Sequence, residues 1–232
     1  MNQLPKRNDE IELARFLLAT AIVLFHMGDF LGWGGRLAVV PKGYLGVEAF
    51  FVLTGYFLCQ SMSKEKRELE LHVKEEEGNS WHLLKTYPIA AMSGTLGPKQ
   101  AEGDLQAPEG FYEVYPSSLN PRSNHWLAFN VGYPNDYDRS LGRTGSYIMV
   151  HGGDSSVGCF AITDPAIEEV YTMVHQALEA GQPCVPVQIY PFEMTPQRMQ
   201  REQDSPHIEF WRHLQPGWQF THEHAAPYQP ER

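Results

Sequence analysis

Two kinds of hydrophobic pattern divide the chain. Up to about residue 62 the apolar residues come in long runs, and from Leu69 onward they alternate with polar ones over short stretches. A period of two is what a strand with one buried face leaves in a sequence. LELHV (Leu69–Val73), WHLLKTYPI (Trp81–Ile89), GFYEV (Gly110–Val114), HWLAFNV (His125–Val131) and SYIMVH (Ser146–His151) read as strands. The turn clusters EEGNS, SGTLGP, SLNPRS and YPNDYDR separate them. One long helix follows, with Asp164 as its cap, Pro165 in its first turn and an apolar stripe of Ile167, Val170, Tyr171, Val174 and Leu178. Glu168 and Glu169 suit its opening turn, and Gly181 closes it. VPVQIY (Val185–Tyr190) reads as another strand, followed by two short helices begun by Thr195-Pro196 and Ser205-Pro206. Phe210, Trp211, Trp218 and Phe220 are expected to pack these helices onto the sheet, and the tail after Phe220 to be loose.

The long runs at the start need a different environment. FLLATAIVLF (Phe16–Phe25) sits within Ile11–Leu31, and GYLGVEAFFVLTGYFLC (Gly43–Cys59) follows. Each is near the roughly 20 residues that cross a bilayer, so together they read as a two-helix membrane hairpin. A cleaved signal peptide competes for the first run, although no small-x-small cleavage site follows Met27. A buried soluble hairpin competes for both, but neither run has a polar face to turn to water. The expected organisation is therefore a hairpin over 1–62, an α+β domain over 63–225 and a loose tail over 226–232. That domain is mainly β, a sheet or sandwich with peripheral helices.

A formal net charge of −10 in 232 residues argues against a phosphate-backbone binder, so no nucleic-acid partner is expected. Hydrophobic residues at 42% suit a globular domain. Three cysteines do not make a disulfide framework, although Cys159 and Cys184 could bridge under oxidation. No CxxC or HExxH spacing occurs, His222 and His224 read as solvated, and no metal or other cofactor is expected.

The candidate chemistry lies in HGGDSSVGC (His151–Cys159). A thiol becomes a nucleophile when a neighbour generates its thiolate, and a histidine can do so and later return the proton to a leaving amine. His151 ends a strand, Gly152 and Gly153 allow a tight turn, and the Gly152 carbonyl is placed to hold the far imidazole nitrogen. The amides of Gly158 and Cys159 could meet an oxyanion. On spacing alone, a structural His–Cys pair is the more ordinary explanation.

Two resemblances add to this reading. The first segment resembles the opening two helices of the membrane acyltransferase 3 family, through the Arg15–His26 spacing and GVEAFFVLTGYF (Gly46–Phe57). That family has many more spans, so its activity is not implied here. The rest of the chain resembles the L,D-transpeptidase catalytic (YkuD) domain, most closely its YafK-type branch. The collinear stretches are TYPIAAMSGTLGPKQAEGD (Thr86–Asp104), APEGFYEV (Ala107–Val114), SLNPRS (Ser118–Ser123), FNVGYPNDYDRSLGRTGS (Phe129–Ser146) and IMVHGGDSSVGCFAITD (Ile148–Asp164).

The second resemblance implies Cys159 as nucleophile, His151 as general base, Gly152 as its orienting residue, and Ser156 and Gly158 at the family's Ser-x-Gly-Cys positions. Val157 stands where many members have histidine, and Ala161 where many have an arginine for a substrate carboxylate. Arg139 and Arg143 are the alternative carboxylate ligands, or else loop-bracing arginines. The implied substrate is a peptidoglycan stem peptide, with an amine acceptor, water or a wall-anchored lipoprotein completing the reaction, and no cofactor is implied. Two other readings stand beside it: a noncatalytic membrane-tethered wall-binding module, and an inactive acyltransferase fragment. The substrate calls for a periplasmic domain attached to the inner membrane. Lys6, Arg7, Lys64, Lys66 and Arg67 flank the hairpin and favour cytoplasmic ends instead.

Overall fold

The computed structural model describes residues 56–75 and 80–229. The strands form two five-stranded sheets, ordered β3-β2-β1-β10-β5 and β4-β9-β8-β7-β6. The first comprises β1 (Tyr56–Ser63), β2 (Glu68–Glu75), β3 (Trp81–Pro88), β5 (Gly110–Val114) and β10 (Val185–Tyr190). The second comprises β4 (Ala91–Met92), β6 (Leu119–Ser123), β7 (Trp126–Asn130), β8 (Met149–His151) and β9 (Phe160–Ala161). The helices are α1 (Asp136–Ser140), α2 (Asp164–Glu179), α3 (Pro196–Arg201) and α4 (Ile208–His224). The α+β, sheet-rich class expected from the alternation is what the chain adopts.

Helix α2 joins the two sheets. It touches β1 and β10 on one side and β7 and β8 on the other. Its stripe residues Ile167, Val170 and Val174 are wholly buried in a core shared with Leu69, Leu71, Phe129, Val150, Phe160 and Val187. Burying each such side chain contributes about 1.5–3 kcal/mol. A second apolar cluster, built on Phe192, Met194, Trp211 and Leu214, seats α3 and α4.

One buried ion pair ties the loop between β4 and β5 to the first sheet. Lys64 Nζ lies 3.0 Å from Glu109 Oε1, with both side chains at 0% exposure. The ammonium also donates to the carbonyls of Thr95, Gly97 and Ala107. Glu109 accepts from the Gly97 amide and from Trp211 Nε1. Every hydrogen of the ammonium therefore has an acceptor, the condition under which a charge is tolerated in a core. Burial lowers the Lys64 pKa, with Glu109 acting against that shift.

Several elements depart from the sequence reading. The expected apolar run reaches Cys59 and the expected hairpin residue 62, yet the chain is already a strand from Tyr56. That strand lies inside the sheet, parallel to β10 and antiparallel to β2. Its opening residues Tyr56–Cys59 continue the preceding apolar run without a break, so the sequence does not mark where the strand begins. The remainder of the proposed hairpin, with Arg15 and His26, lies outside the described residues. No helix among the described residues is long and apolar enough to cross a membrane.

Other differences are local. SLNPRS contributes β6, whose pairing with β7 is irregular between Asn120 and Ser123. YPNDYDR holds a cis Tyr133–Pro134 bond and then α1, capped by Asn135. Thr163, not Asp164, precedes α2 as its cap residue, with a φ of 74° and no side-chain capping bond. The last helix runs for 17 residues through Pro216 and Gly217, and so takes in His222 and His224. Packing outweighs propensity there: a Cβ on Gly217 would meet the Phe111 ring at 2.4 Å. The expected tail begins packed, since Gln188 Nε2 donates to the Tyr228 carbonyl and the Tyr228 ring lies 5.4 Å from that of Phe111.

Candidate active site

The site is built at the end of β8. This strand runs antiparallel to β7 and parallel to β9, with Val150 opposite Phe160 and His151 opposite Ala161. Continuing that register back by one residue sets Cys159 beside Met149, two residues from His151 on the neighbouring strand. Typical strand spacing and rise make that about 8 Å between the two Cα atoms, a gap that side chains can close.

His151 is buried, and its Nδ1 lies 2.6 Å from the carbonyl oxygen of its own neighbour, Gly152. A carbonyl only accepts, so Nδ1 carries the proton and Nε2 keeps its lone pair. The Gly152 peptide is itself held: its amide donates to the His125 carbonyl at 3.0 Å. A Cβ there would lie 2.5 Å from Asp164 Oδ1 and 2.7 Å from the His125 oxygen. Glycine at 152 is therefore a matter of space. The Gly153 amide donates to Asp164 Oδ1 at 2.7 Å, which explains why Asp164 does not cap its helix.

Cys159 is half-buried, and no disulfide joins it to Cys184. The Met149 amide donates toward Sγ at 3.4 Å, and the thiol points to the Tyr147 carbonyl at 3.5 Å. Burial pushes the thiol pKa up, against the Met149 amide and the charge of Lys99. Burial likewise pushes the His151 pKa down, opposed by its bond to Gly152 and assisted by the nearby His125. Both shifts favour the neutral forms, a thiol and an uncharged imidazole, rather than a preformed thiolate–imidazolium pair.

The other predicted residues fall in different places. Gly158 has a φ of 83°, a conformation that glycine adopts without strain. Its amide, expected to face an oxyanion, instead donates to Ser93 Oγ at 2.6 Å. Ser156 Oγ is buried with no hydrogen-bond partner among the described residues. Both arginines are engaged within the protein. Arg139 is exposed and bonds to the Pro134 carbonyl and to Asp136. Arg143 is largely buried, pairs with Asp138 at 2.8 Å and lies over the Phe210 ring. Asp138 is almost fully buried and also takes the Tyr112 hydroxyl, so Arg143 balances a charge in the fold.

Ser93, Lys99, His125 and Tyr147 were not anticipated. The first two reach the site from the β4–β5 loop, and His125 from the turn before β7. Pairing of Ala128 with His151 is what brings that turn over the site, a relation that becomes visible only once strand register is known. Among the described residues no group of three or more His, Cys, Asp or Glu is placed to hold a metal ion. A cavity of about 270 Å³ between β1–β3 and α4 is lined by residues such as Glu70, His72 and Trp218, and shares no residue with this site.

Two sheets clasping one helix, with a histidine at the end of one strand and a cysteine immediately before the parallel strand beside it, fit the family whose profile matches residues 67–189: the chain belongs to the L,D-transpeptidase catalytic domain (YkuD) family. Among individual proteins it is similar to YafK of Escherichia coli (strain K12), which is assigned by name to the L,D-transpeptidases. The two are 45% identical over 164 residues, covering 71% of this chain and 66% of that protein, just short of two thirds of its length. Solved structures similar to it include Pgp2, the helical cell shape determining protein of Campylobacter jejuni. That pair has 26% identity and a TM-score of 0.46, covering 60% of this chain and 49% of Pgp2. Bd1075 of Bdellovibrio bacteriovorus has 23% identity and a TM-score of 0.40, covering 68% of this chain and 57% of that one.

Proposed function

We propose that this domain transfers acyl groups from peptidoglycan stem peptides through a thioester on Cys159, with His151 as the general base. The observation that carries the reading is the bond from His151 Nδ1 to the Gly152 carbonyl. It leaves Nε2 as the basic nitrogen of that ring, on a strand adjoining the one that follows Cys159. Nε2 takes the thiol proton as Sγ attacks a peptide carbonyl carbon at the L-centre of a diamino acid. The carbon–nitrogen bond then breaks, the amine leaves with the proton held by His151, and a thioester remains. An acceptor amine gives up a proton to the same nitrogen, forms the new amide and releases the thiol. With water as acceptor the product is a free acid, the outcome that would detach a wall-linked lipoprotein.

The developing oxyanion needs donors, and the Gly158 amide is taken up by Ser93. The Cys159 amide is therefore the donor assigned to it. Ser156, with its unpartnered hydroxyl, is the nearby side chain assigned to a polar group of the substrate. The substrate places the working domain in the periplasm, attached to the inner membrane by the apolar segments before Tyr56.

The test is intact-mass measurement after exposure to a carbapenem and, separately, to a stem tetrapeptide with an amine acceptor. A single adduct on the wild-type protein, absent from Cys159→Ala, is expected, together with transfer or hydrolysis of the peptide. Binding of wall fragments with no adduct would instead identify a noncatalytic module.

A further inference from the structure

His125 is exposed at the turn between β6 and β7, yet its ring centroid lies 4.6 Å from that of buried His151, with 33° between the planes. Its main-chain carbonyl accepts the Gly152 amide. One residue thus meets the imidazole through its ring and the peptide that orients the imidazole through its backbone. The turn is restrained to do this. The His125 amide donates to Ser123 Oγ at 3.0 Å, and Trp126 Nε1 donates to Glu168 Oε1 on α2 at 3.1 Å. Trp126 itself is held at a φ of 71°, a conformation a bulky residue adopts only where its surroundings impose it.

We propose that His125 is a positioning residue of the acyl-transfer site, its ring covering one face of the His151 imidazole while its carbonyl fixes the Gly152 peptide. This inference rests on the reading of His151 as the base. Because the covering ring is an imidazole, a positive charge on it opposes a proton on His151. The titratable groups on the elements around the pair include Cys159 from the segment before β9, and Asp164 and Glu168 from α2. Asp164 is engaged with Gly153 and Glu168 with Trp126.

The experiment compares wild type, His125→Phe and His125→Ala as full chains. Nitrogen-edited NMR follows the His151 ring through pH, and carbapenem acylation of Cys159 gives the rate. His125→Phe keeps a ring and loses the charge. Its plateau rate stays within about twofold of wild type, while the His151 midpoint and the acid limb of the rate both move to higher pH. His125→Ala loses the ring as well, and its plateau rate falls about tenfold. An unmoved His151 midpoint in both variants, or a wild-type plateau in His125→Ala, overturns the proposal. Failure of wild type to form any adduct sinks the parent reading and the catalytic role with it, while the titration still reports whether the rings are coupled.

Discussion

Ser93 Oγ accepts the Gly158 amide at 2.6 Å and donates to the Leu105 carbonyl, so the peptide before the cysteine is held by a residue 65 positions earlier. The loop bearing Ser93 is in turn fastened by Lys64. Reactivity at Cys159 therefore depends on a chain of contacts that begins in the other sheet.

Ser93→Ala removes the acceptor and lets the Gly158 peptide move. Stability is expected to drop by about 1 kcal/mol, the ordinary worth of one such bond. Acylation of Cys159 slows by about tenfold, because displacement of a nucleophile by a fraction of an ångström is costly. Urea melts and stopped-flow acylation measure the two effects. An acylation rate equal to wild type would show that the Ser93 contact does not position the sulfur.

The pH dependence follows from the two burial effects. His151 has a lowered pKa and must be neutral to act, so the acid limb of kcat/KM is expected below about pH 6.5, its ordinary value. The thiol pKa is raised, so no thiolate absorbance is expected near pH 7. Alkylation by iodoacetamide rises only as the pH passes the ordinary thiol range. A thiolate band at neutral pH would establish a charged pair in place of the neutral one.

Glu109→Gln leaves Lys64 buried without its counter-charge. A loss of about 3–5 kcal/mol is expected, the usual consequence of removing one member of a buried pair. Replacing both, as Lys64→Met with Glu109→Gln, recovers part of that loss. Chemical denaturation of the single and double variants measures the coupling, which vanishes if the two changes are additive.

The two arginines should separate cleanly. Arg143→Ala strands the carboxylate of Asp138 and is expected to cost about 2–3 kcal/mol, with KM for a stem peptide unchanged in the folded fraction. Arg139→Ala removes an exposed pair and is expected to stay within about 0.5 kcal/mol. A KM increase confined to either variant would restore a role in holding the substrate.

The sequence showed those parts of the molecule that obey short-range rules. β2 and β5 announce themselves by alternation, β3 and β10 by short apolar and aromatic runs between turn clusters, α2 by its stripe, and His151 with Cys159 by a glycine-rich loop and a family resemblance. What escaped notice depends on contacts between distant segments. β1 opens with YFLC, which continues the apolar run before it without a break. His125 and Ser93 look like ordinary loop residues until β7 pairs with β8 and the β4–β5 loop folds over Gly158. Arg143 stands near the histidine strand in sequence but turns toward Phe210 and Asp138. Proximity along the chain is a poor guide to which cation serves a ligand and which serves the fold.

The place of β1 between β2 and β10 matters for anyone trimming the protein. A recombinant fragment begun at residue 63 would discard an inner slat of the sheet and bare two ladders of unpaired amides and carbonyls facing each other. Such a fragment should self-associate even though every residue around the thiol is still there. A fragment that keeps this sheet whole has to include Tyr56.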